Sequence, residues 1–499
     1  MQFALLVSVF VIASCGLIYE LVAGALSSYL LGDSITQFST VIGTYLFAMG
    51  VGSWLSRHIH VRIAERFIII EIMVGLLGGF SAAILFLCFA FAGEPFRIIL
   101  YFLVSLIGIL VGIEIPLVMR LLEKDLKLSE LVSSVLSVDY LGALLVSVLF
   151  PLLLAPHLGF VRTSLLFGIF NIAVALWAVH LFKKTIVHHG RYRALGFFAL
   201  LLLLAGFIGA EKLMRFSELK MYGDDIVYTQ STPYQRIVLT RWRDDFRLYL
   251  NGNLQFSSRD EYRYHESLVH PALATLPHAR DVLVLGGGDG MAVRELLKYS
   301  HIERITLVDL DPQMTEMFKS DSVLSKLNNL SLQSPKVTVV NADALKWMEA
   351  QAQSYDAIVV DFPDPTNYAL GKLYSVTFYQ ILRRHLRPQG LAVVQTTSPL
   401  YAPKSYWMVN NTARAAGFNT TGYHALVPTF GEWGFMLLSE KAYQQPTQIP
   451  VPTRFLNAAI LPTLFVFPQD MQSDIQEINR LDNQALVRVF EQEWGAALR

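Results

Sequence analysis

The sequence predicts two parts: an N-terminal α-helical bundle that crosses a membrane several times, and a C-terminal α/β domain with a Rossmann-like sheet. The first observation behind this prediction is that residues 1 to about 215 contain seven apolar stretches of roughly twenty residues, the length that crosses a bilayer. The second is the run Asp281 to Asp311, in which a buried strand, a glycine turn, a helix and a second strand ending in acid follow one another.

The apolar stretches differ from an export signal. The first lacks a basic start and an obvious small-residue cleavage site, which favours a retained helix over a signal peptide. We therefore expect a permanently anchored, multi-pass protein. The seven stretches lie at about 3 to 30, 36 to 56, 67 to 92, 96 to 119, 131 to 155, 161 to 182 and 194 to 211.

Charge and cysteine content exclude several classes of protein. The chain has 40 basic and 40 acidic residues, so no net charge attracts nucleic acid, and we expect none as a partner. Both cysteines, Cys15 and Cys88, lie in apolar stretches, where a thiol usually packs as a small hydrophobic group. The histidines have no thiol or carboxylate at metal-ligand spacing, so we predict no metal.

Four acidic residues interrupt the apolar stretches. Ionisable groups at membrane depth mark a pathway or a binding site by default, but they can equally be protonated or paired inside a bundle. Both interpretations stay open. The four residues are Glu20, Glu71, Glu114 and Asp139.

Basic loops indicate the orientation of the bundle. Lysines and arginines follow the second, fourth and sixth stretches, whereas the loop after the first has none, so the N-terminus is expected inside. Seven crossings would then place the C-terminal part outside. However, Lys212, Arg215 and Lys220 directly after the last stretch resemble a cytoplasmic flank. We therefore predict a cytoplasmic C-terminal part, with the first or fifth stretch re-entrant.

The soluble part is predicted to begin with a small antiparallel sheet. Ile226 to Thr229, Tyr234 to Trp242 and Arg247 to Leu250 have strand patterns, and Asn251-Gly252 is a hairpin turn. Asp260 to Ala274 has helical spacing. We therefore expect three domains: the bundle at 1–215, the small sheet with its linking helix at 216–276, and the α/β domain at 277–499.

The glycine turn predicts a nucleoside site. Val282 to Leu285 is a buried strand, Gly286 to Gly288 allow a sharp turn close to a ligand, and Met291 to Tyr299 forms the following helix. The second strand, Ile305 to Val308, places Asp309 where an acid can accept both hydroxyls of a ribose.

The presence of Asp289 in the glycine turn argues against a phosphate ligand. A carboxylate there repels an anion and suits a ligand that carries a sulfonium or an amine. The structural alternative is a helix N-cap, which stabilises by about 1 kcal/mol, and one residue can do both.

Acids also close the next two predicted strands. Val337 to Val340 is followed by Asp343, and Ala357 to Val360 by Asp361 and Asp364. Because ligands of open parallel sheets bind beyond the carboxyl ends of the strands, we expect these acids, Asp289 and Asp309 to meet in one cleft. A single aspartate at a strand end is usually a turn residue, but the repeated placement favours a site.

Several ordered motifs between about Tyr234 and the end resemble the spermidine synthases, or polyamine aminopropyltransferases. These motifs are YQRIVL, LYLNGNLQ, DEYRYHE, GGGDG, VDLD, NADA, DFPDP, LYSVTFY, VPTFGEWGF and the tail RFLNAAILPTLFVFPQD. The helical half is similar to the multi-span regions fused to some bacterial members, which implies the cell (inner) membrane. The resemblance leaves a homodimer open.

The resemblance implies a role for each matching residue. Asp361 matches the proton acceptor and is the expected catalytic residue. Residues expected to bind the nucleoside are Gln235, Gly286, Gly288, Asp309, Asp343, Ala344 and Tyr368; those expected to line the amine site are Tyr264, His265, Asp289 and Asp364.

The implied reaction moves an aminopropyl group from decarboxylated S-adenosylmethionine, a co-substrate, to putrescine or a related amine, and needs no other cofactor. An S-adenosylmethionine-dependent methyltransferase would share the glycine turn and the ribose acid but would not need acids around the acceptor. A further alternative is a membrane polyamine transporter or sensor that uses the soluble part as a binding module.

Two residues depart from the family pattern. Phe430 stands where many spermidine synthases have a tyrosine that orients the amine, and Tyr368 stands where many have proline. Phenylalanine followed by Trp-Gly also resembles the thermospermine and long-chain branch. The acceptor therefore stays open between putrescine and longer amines.

Overall fold

A computed structural model describes residues 2–31, 34–92, 95–123 and 128–497. The chain forms two compact units, Met1–Ile226 and Val227–Arg499. The small sheet thus belongs to the same unit as the α/β domain, whereas the sequence predicted boundaries at 215/216 and 276/277.

Within the described residues, helices are the regular elements of the first unit up to Tyr222, and the unit ends inside the first strand of the small sheet, Asp225–Ser231. Its helices follow the predicted apolar stretches, and a five-residue π-helix, Phe150–Leu154, joins the fifth to the sixth. The helices are α1 (Gln2–Leu31), α2 (Ser34–Ser56), α3 (Ile63–Ala92), α4 (Phe96–Leu122), α5 (Leu128–Leu149), α6 (Ala155–Leu181) and α7 (His189–Tyr222).

By length and composition, six continuous helical segments in the described part of the chain could cross a membrane. One of them, Ser129–Leu181, has 53 residues and contains both the fifth and the sixth predicted stretches. A straight helix of that length would measure about 80 Å, against a hydrocarbon core of about 30 Å. The segment is broken at Gly159, where φ is 72° and ψ is 172°.

Contacts on the first two helices show that they run antiparallel. The Tyr45 hydroxyl of α2 donates to the Gly16 carbonyl of α1 over 2.8 Å, and the Phe38 ring lies against Gly24. Higher residue numbers in α1 thus lie opposite lower residue numbers in α2, as in an antiparallel pair.

Helices α2 and α4 run parallel. The Tyr101 hydroxyl donates to Thr40 Oγ1 over 2.9 Å at one end, and Arg120 Nη1 donates to the Ser56 carbonyl over 2.9 Å at the other. Helix α4 is therefore antiparallel to α1.

Helix α3 runs parallel to α1 and antiparallel to α6. Tyr19 of α1 lies against Gly78 of α3, and Tyr29 lies against Phe86, so residue numbers increase in the same direction in both helices. In contrast, Asn171 of α6 lies level with Glu71, and Gly168 lies level with Gly79. Since α4 and α6 then run in the same direction, the chain between them must return across the bundle.

A buried polar chain crosses the helical unit. The Tyr19 hydroxyl donates to Asn171 Oδ1 over 2.7 Å, and Asn171 Nδ2 donates to Glu71 Oε2 over 2.8 Å. Glu114 is also buried, and neither of its oxygens has a hydrogen-bond partner among the described residues. Glu20 and Asp139 are half-buried. Two of the four acids predicted at membrane depth are thus fully internal.

The second unit begins with the predicted antiparallel sheet, in the order β1-β2-β3-β4. Asn251 and Gly252 form the predicted turn with φ of 50° and 82°. The strand after that turn was not predicted, since Asn253 to Ser257 is short and polar. The strands are β1 (Asp225–Ser231), β2 (Arg236–Trp242), β3 (Asp245–Leu250) and β4 (Asn253–Ser257).

A seven-stranded sheet follows, with helices on its faces and the order β10-β11-β9-β8-β5-β6-β7. Strands β5 to β9 pair in parallel, and β10 and β11 add an antiparallel edge. This arrangement confirms the predicted Rossmann-like sheet. The strands are β5 (Asp281–Gly286), β6 (Arg304–Asp309), β7 (Val337–Asn341), β8 (Tyr355–Asp361), β9 (Leu386–Gln395), β10 (Asn419–Val427) and β11 (Gly431–Ser439).

Nine helices of the second unit lie within the described residues, several of them single turns. The predicted helix after the glycine turn is shorter than expected and ends at Leu296. The helices are α8 (Glu261–Leu273), α9 (Met291–Leu296), α10 (Pro312–Ser320), α11 (Leu324–Leu327), α12 (Ala344–Glu349), α13 (Tyr368–Gly371), α14 (Val376–Arg384), α15 (Pro403–Ala415) and α16 (Ala485–Ala497).

Candidate active site

The strand order brings the predicted acids to one edge of the sheet. Strand β5 pairs with β6 on one side and with β8 on the other, so the chain order reverses direction at β5. Ligands of open α/β sheets bind in the crevice at such a switch point. The acids that follow these strands and β7 are Asp289, Asp309, Asp343, Asp361 and Asp364.

The glycine turn has the shape that the sequence predicted. Gly286 and Gly287 adopt φ of 77° and 65°, a region that favours glycine. A Cβ on Gly287 would lie 3.0 Å from Asp361 Oδ2, and one on Gly288 would lie 2.7 Å from Asp309 Oδ2. The missing side chains therefore allow two carboxylates to approach the backbone of the turn.

Asp309 is held by two backbone donors. The amide of Gly288 donates to its Oδ2 over 3.0 Å, and that of Asp311 donates to its Oδ1 over 2.9 Å. Burial nevertheless raises the pKa of the Asp309 carboxyl to about 6. The carboxylate is fixed at the end of β6 beside the turn.

Gln235 reaches the neighbouring acid. Its Nε2 donates to Asp311 Oδ2 over 2.9 Å, and Thr232 Oγ1 donates to the same oxygen over 2.8 Å. The small sheet is thereby attached to the residue that follows β6 by two, Asp311.

Asp343 caps the start of α12. Its Oδ1 accepts the Lys346 amide over 3.1 Å, and its Oδ2 pairs with Lys372 Nζ at 2.7 Å. Burial opposes ionisation, but the Lys372 contact and the amide outweigh it and hold the pKa of Asp343 below its ordinary value. Ala344 is buried directly after it, whereas Tyr368 is 36% exposed at the start of α13.

Helix α8 carries the predicted Tyr264 and His265 to the acids. The Tyr264 hydroxyl donates to Asp361 Oδ1 over 2.6 Å. His265 Nδ1 lies 2.8 Å from Glu261 Oε2. Burial alone would lower the pKa of His265, but the hydrogen bond and charge of Glu261 raise it to about 9. The imidazole is therefore a cation at neutral pH, and its charge faces Asp289 and Asp361.

Asp289 makes a contact at the helix start, as considered from the sequence, and its role toward a cationic ligand stays a prediction. Its Oδ1 accepts the Met291 amide over 2.9 Å at the start of α9, which is a capping contact. Burial raises the pKa of its carboxyl, while the nearby His265 cation partly offsets that rise. A cationic ligand would favour ionisation in the same way.

Asp361 and Asp364 lie at the end of β8 with little solvation. Burial raises the pKa of Asp361 to about 6 although the His265 charge opposes the rise, and burial raises the pKa of Asp364 to about 7. Gln395 Nε2 lies 3.5 Å from Asp364 Oδ1, and Thr397 Oγ1 lies 3.4 Å from its Oδ2. Both carboxylates therefore gain from a bound cation.

Aromatic rings surround Tyr264, the residue that contacts Asp361. The Phe430 ring centroid lies 6.4 Å from that of Tyr264 and 5.1 Å from that of Trp433, and Phe435 lies 5.3 Å from Tyr264. Phe430, the departure noted in the sequence, is thus next to the tyrosine that contacts Asp361. Carboxylates between apolar rings are suited to a ligand with ammonium ends and a methylene chain.

Several supporting residues were not predicted. Glu261 forms a two-oxygen ion pair with Arg294, at 2.8 and 2.9 Å, that joins α8 to α9 beneath the glycine turn. Glu266 accepts three backbone amides, those of Arg454, Phe455 and Leu456. The sequence offers no signal for these contacts, because the partners of Glu261 and Glu266 are far away in the sequence.

The structure thus combines a Rossmann-like sheet with a group of acids at the carboxyl ends of β5, β6, β7 and β8. Residues 261–448 match the spermine/spermidine synthase domain. No group of three or more histidine, cysteine or acidic residues that could hold a metal ion occurs in the described part of the chain.

Relatives match along the whole chain. The sequence is 55% identical to polyamine aminopropyltransferase 2 of Ralstonia nicotianae, over 99% of each chain. It is 51% identical to the polyamine aminopropyltransferase of Leptospira interrogans, over 100% of each. Spermidine synthase from Thermotoga maritima, a solved structure, is 24% identical with a TM-score of 0.44, covering 49% of this chain and 85% of its own.

The chain therefore belongs to the polyamine aminopropyltransferases. It is a transferase of polyamine biosynthesis that takes the aminopropyl group from decarboxylated S-adenosylmethionine and leaves methylthioadenosine.

Proposed function

We propose that the acceptor is putrescine or a related linear amine, and that Asp361 accepts the proton of the attacking ammonium. The observation that carries this proposal is the group of three poorly solvated carboxylates, Asp289, Asp361 and Asp364, beside the ring of Tyr264. Their pKa values are raised by burial, so each gains when a cation binds next to it.

The proposed step balances as a displacement at carbon. The ammonium gives one proton to Asp361, and the nitrogen lone pair attacks the methylene carbon next to the sulfonium. The carbon–sulfur bond breaks with its electron pair moving to sulfur, which leaves a neutral thioether. A carboxylate with a pKa of about 6 is a better base than an ordinary aspartate at neutral pH.

Tyr264 and His265 prepare Asp361 for this role. The hydroxyl of Tyr264 fixes one carboxylate oxygen at 2.6 Å and leaves the other for the amine. The charge of His265 keeps Asp361 partly ionised in spite of its burial. Orientation of the two substrates supplies most of the acceleration, as in other two-substrate displacements.

On the donor side, we propose that Asp309 accepts the ribose hydroxyls and that Asp343 contacts the adenine amine. Gly286 and Gly288 leave room for the nucleoside beside the turn, and Gln235, Ala344 and Tyr368 complete its surroundings. Asp309 is held by two backbone amides, which supports a fixed acceptor. Asp343 also forms an ion pair with Lys372. In the proposed arrangement, this ion pair borders the adenine.

Replacement of Asp361 tests the proposed base. Asp361→Asn should lose at least about 100-fold in turnover, in line with the loss of a general base, and should bind methylthioadenosine nearly as tightly as the parent. Single-turnover rates and calorimetry measure the two effects. A near-normal rate in the variant would exclude Asp361 as the proton acceptor.

We also propose that the helical unit spans the cell (inner) membrane and that the catalytic unit lies on its cytoplasmic side. Lys212, Arg215 and Lys220 directly after the last apolar stretch support this side, because basic residues near the end of a span are retained inside. With the N-terminus inside, one of the seven stretches then does not cross, the first or the fifth being the one proposed as re-entrant.

Fusions of alkaline phosphatase and of a fluorescent reporter to Arg499 separate this cytoplasmic placement from an external one. Fluorescence without phosphatase activity is the expected result. Phosphatase activity without fluorescence would show that all seven stretches cross and that the catalytic unit is external.

A further inference from the structure

Helix α16, near the C-terminus, lies beyond the residues matched by the synthase domain and reaches the acceptor acids. The indole of Trp494 donates its Nε1 hydrogen to Thr397 Oγ1 over 3.0 Å. Thr397 follows β9, is 2% exposed, and donates in turn to Asp364 Oδ2 over 3.4 Å. A chain of two hydrogen bonds therefore connects α16 to a carboxylate of the proposed amine site.

The direction of this chain is fixed by the chemistry of its members. An indole nitrogen only donates, so it occupies an acceptor site of the Thr397 oxygen. The single hydroxyl hydrogen of Thr397 is then free to point at Asp364. Without the indole, the same hydroxyl could accept or donate in other directions.

The other oxygen of Asp364 has a similar arrangement. Gln395 Nε2 faces Asp364 Oδ1, and the indole of Trp433 donates to Gln395 Oε1 over 3.1 Å. The same nitrogen donates to the Phe362 carbonyl and contacts the Tyr374 hydroxyl at 2.8 Å, so its 3.5 Å approach to Asp364 is the weakest of its contacts. The Thr397 hydroxyl is therefore the main donor that an indole directs at this carboxylate.

Helix α16 is firmly attached where it carries Trp494. Glu493 accepts the amides of Lys404 and Ser405, each over 2.9 Å, and the Ser405 hydroxyl over 2.7 Å, all at the start of α15. The Tyr401 ring lies 5.7 Å from that of Trp494. These contacts hold the indole in place against Thr397.

We propose that Trp494 and Thr397 are positioning residues for the amine acceptor. By directing a hydroxyl at Asp364 Oδ2, they fix the orientation of this carboxylate and favour its ionised form, so that α16 contributes to amine affinity. The proposal rests on the proposed role of Asp364 in binding an ammonium group.

Three single variants of the full-length protein test the proposal: Thr397→Val, which removes the hydroxyl at nearly constant shape, Thr397→Ser, which keeps it, and Trp494→Phe, which keeps a ring without the N–H. Loss of one such hydrogen bond should raise the KM for the amine about three- to tenfold. The valine and phenylalanine variants should show this rise with nearly unchanged kcat and donor KM, whereas the serine variant should resemble the parent.

The pH profile gives a readout that a purely structural role would not move. Since the donor favours the carboxylate form, its loss should shift the acidic limb of amine binding to higher pH in the valine and phenylalanine variants. Unchanged amine KM and pH profile in Thr397→Val would overturn the proposal, as would a serine variant as impaired as the valine one. If Asp364→Asn also leaves the amine KM unchanged, the proposed role of Asp364 itself fails.

Discussion

Replacing Asp364 by asparagine should stabilise the free enzyme while weakening amine binding. Burial raises the pKa of this carboxyl to about 7, against about 3.9 for an ordinary aspartate. The folded state therefore holds the proton more tightly than the unfolded state. The carboxyl accordingly costs stability progressively as the pH rises from about 4 to about 7, and the full cost persists above that.

The size of the effect follows from the pKa difference. Three pH units correspond to about 4 kcal/mol for a fully desolvated group. Asp364 borders the crevice and is partly exposed, and an amide would place an NH₂ group near Gln395, so we expect a gain of about 1 to 3 kcal/mol above pH 8. For a unit of this size, that gain raises the melting temperature by about 2 to 8 °C.

The assay is thermal unfolding of the full-length protein, followed by tryptophan fluorescence at pH 8.5 and at pH 5. Methylthioadenosine identifies the transition of the catalytic unit, because a ligand of the folded state raises its melting temperature. The gain from Asp364→Asn should be less than half as large at pH 5. Asp356→Asn is the matched control. The amides of Arg280 and Asp281 and an ion pair with Arg387 outweigh burial and lower the pKa of the Asp356 carboxyl. Removal of this carboxylate should therefore destabilise the protein. An equal gain at both pH values, or destabilisation at pH 8.5, would refute the reasoning.

Three further predictions concern substrates. Asp309→Ala should weaken nucleoside binding by about 1.5 to 3 kcal/mol for each lost charge-assisted bond and leave amine binding nearly unchanged in calorimetry; no loss would contradict the ribose role. Phe430→Tyr should improve the use of putrescine relative to longer amines, and an unchanged acceptor profile would show that the departure is neutral. The rate at low amine concentration should fall below about pH 6, where Asp361 is protonated, and a profile without an acidic limb near that pH would contradict its role as the base.

Much of the catalytic fold could be predicted because its signals are local. The apolar run before Gly286, the turn itself and the acid after each strand each occupy a few adjacent residues. The rule that ligands bind at the carboxyl ends of parallel strands then placed Asp289, Asp309 and Asp361 together. The structure confirms the Rossmann-like sheet that this argument requires.

The unpredicted features depend on distant partners. Gln235 carries no mark that its partner is Asp311, and nothing near Trp494 indicates that it reaches Thr397. The relative directions of the helices in the first unit likewise follow from contacts between stretches far apart in the chain. Periodicity and composition describe single elements and cannot specify such pairs.

The most direct test of the central claim is to incubate the purified full-length protein with decarboxylated S-adenosylmethionine and a panel of linear amines, and to quantify methylthioadenosine and the amine product. We expect methylthioadenosine and an aminopropylated amine to appear in equal amounts, with at least one diamine or polyamine as acceptor, and neither to form with Asp361→Asn. Binding of both substrates without release of methylthioadenosine would contradict the account and would indicate a sensor.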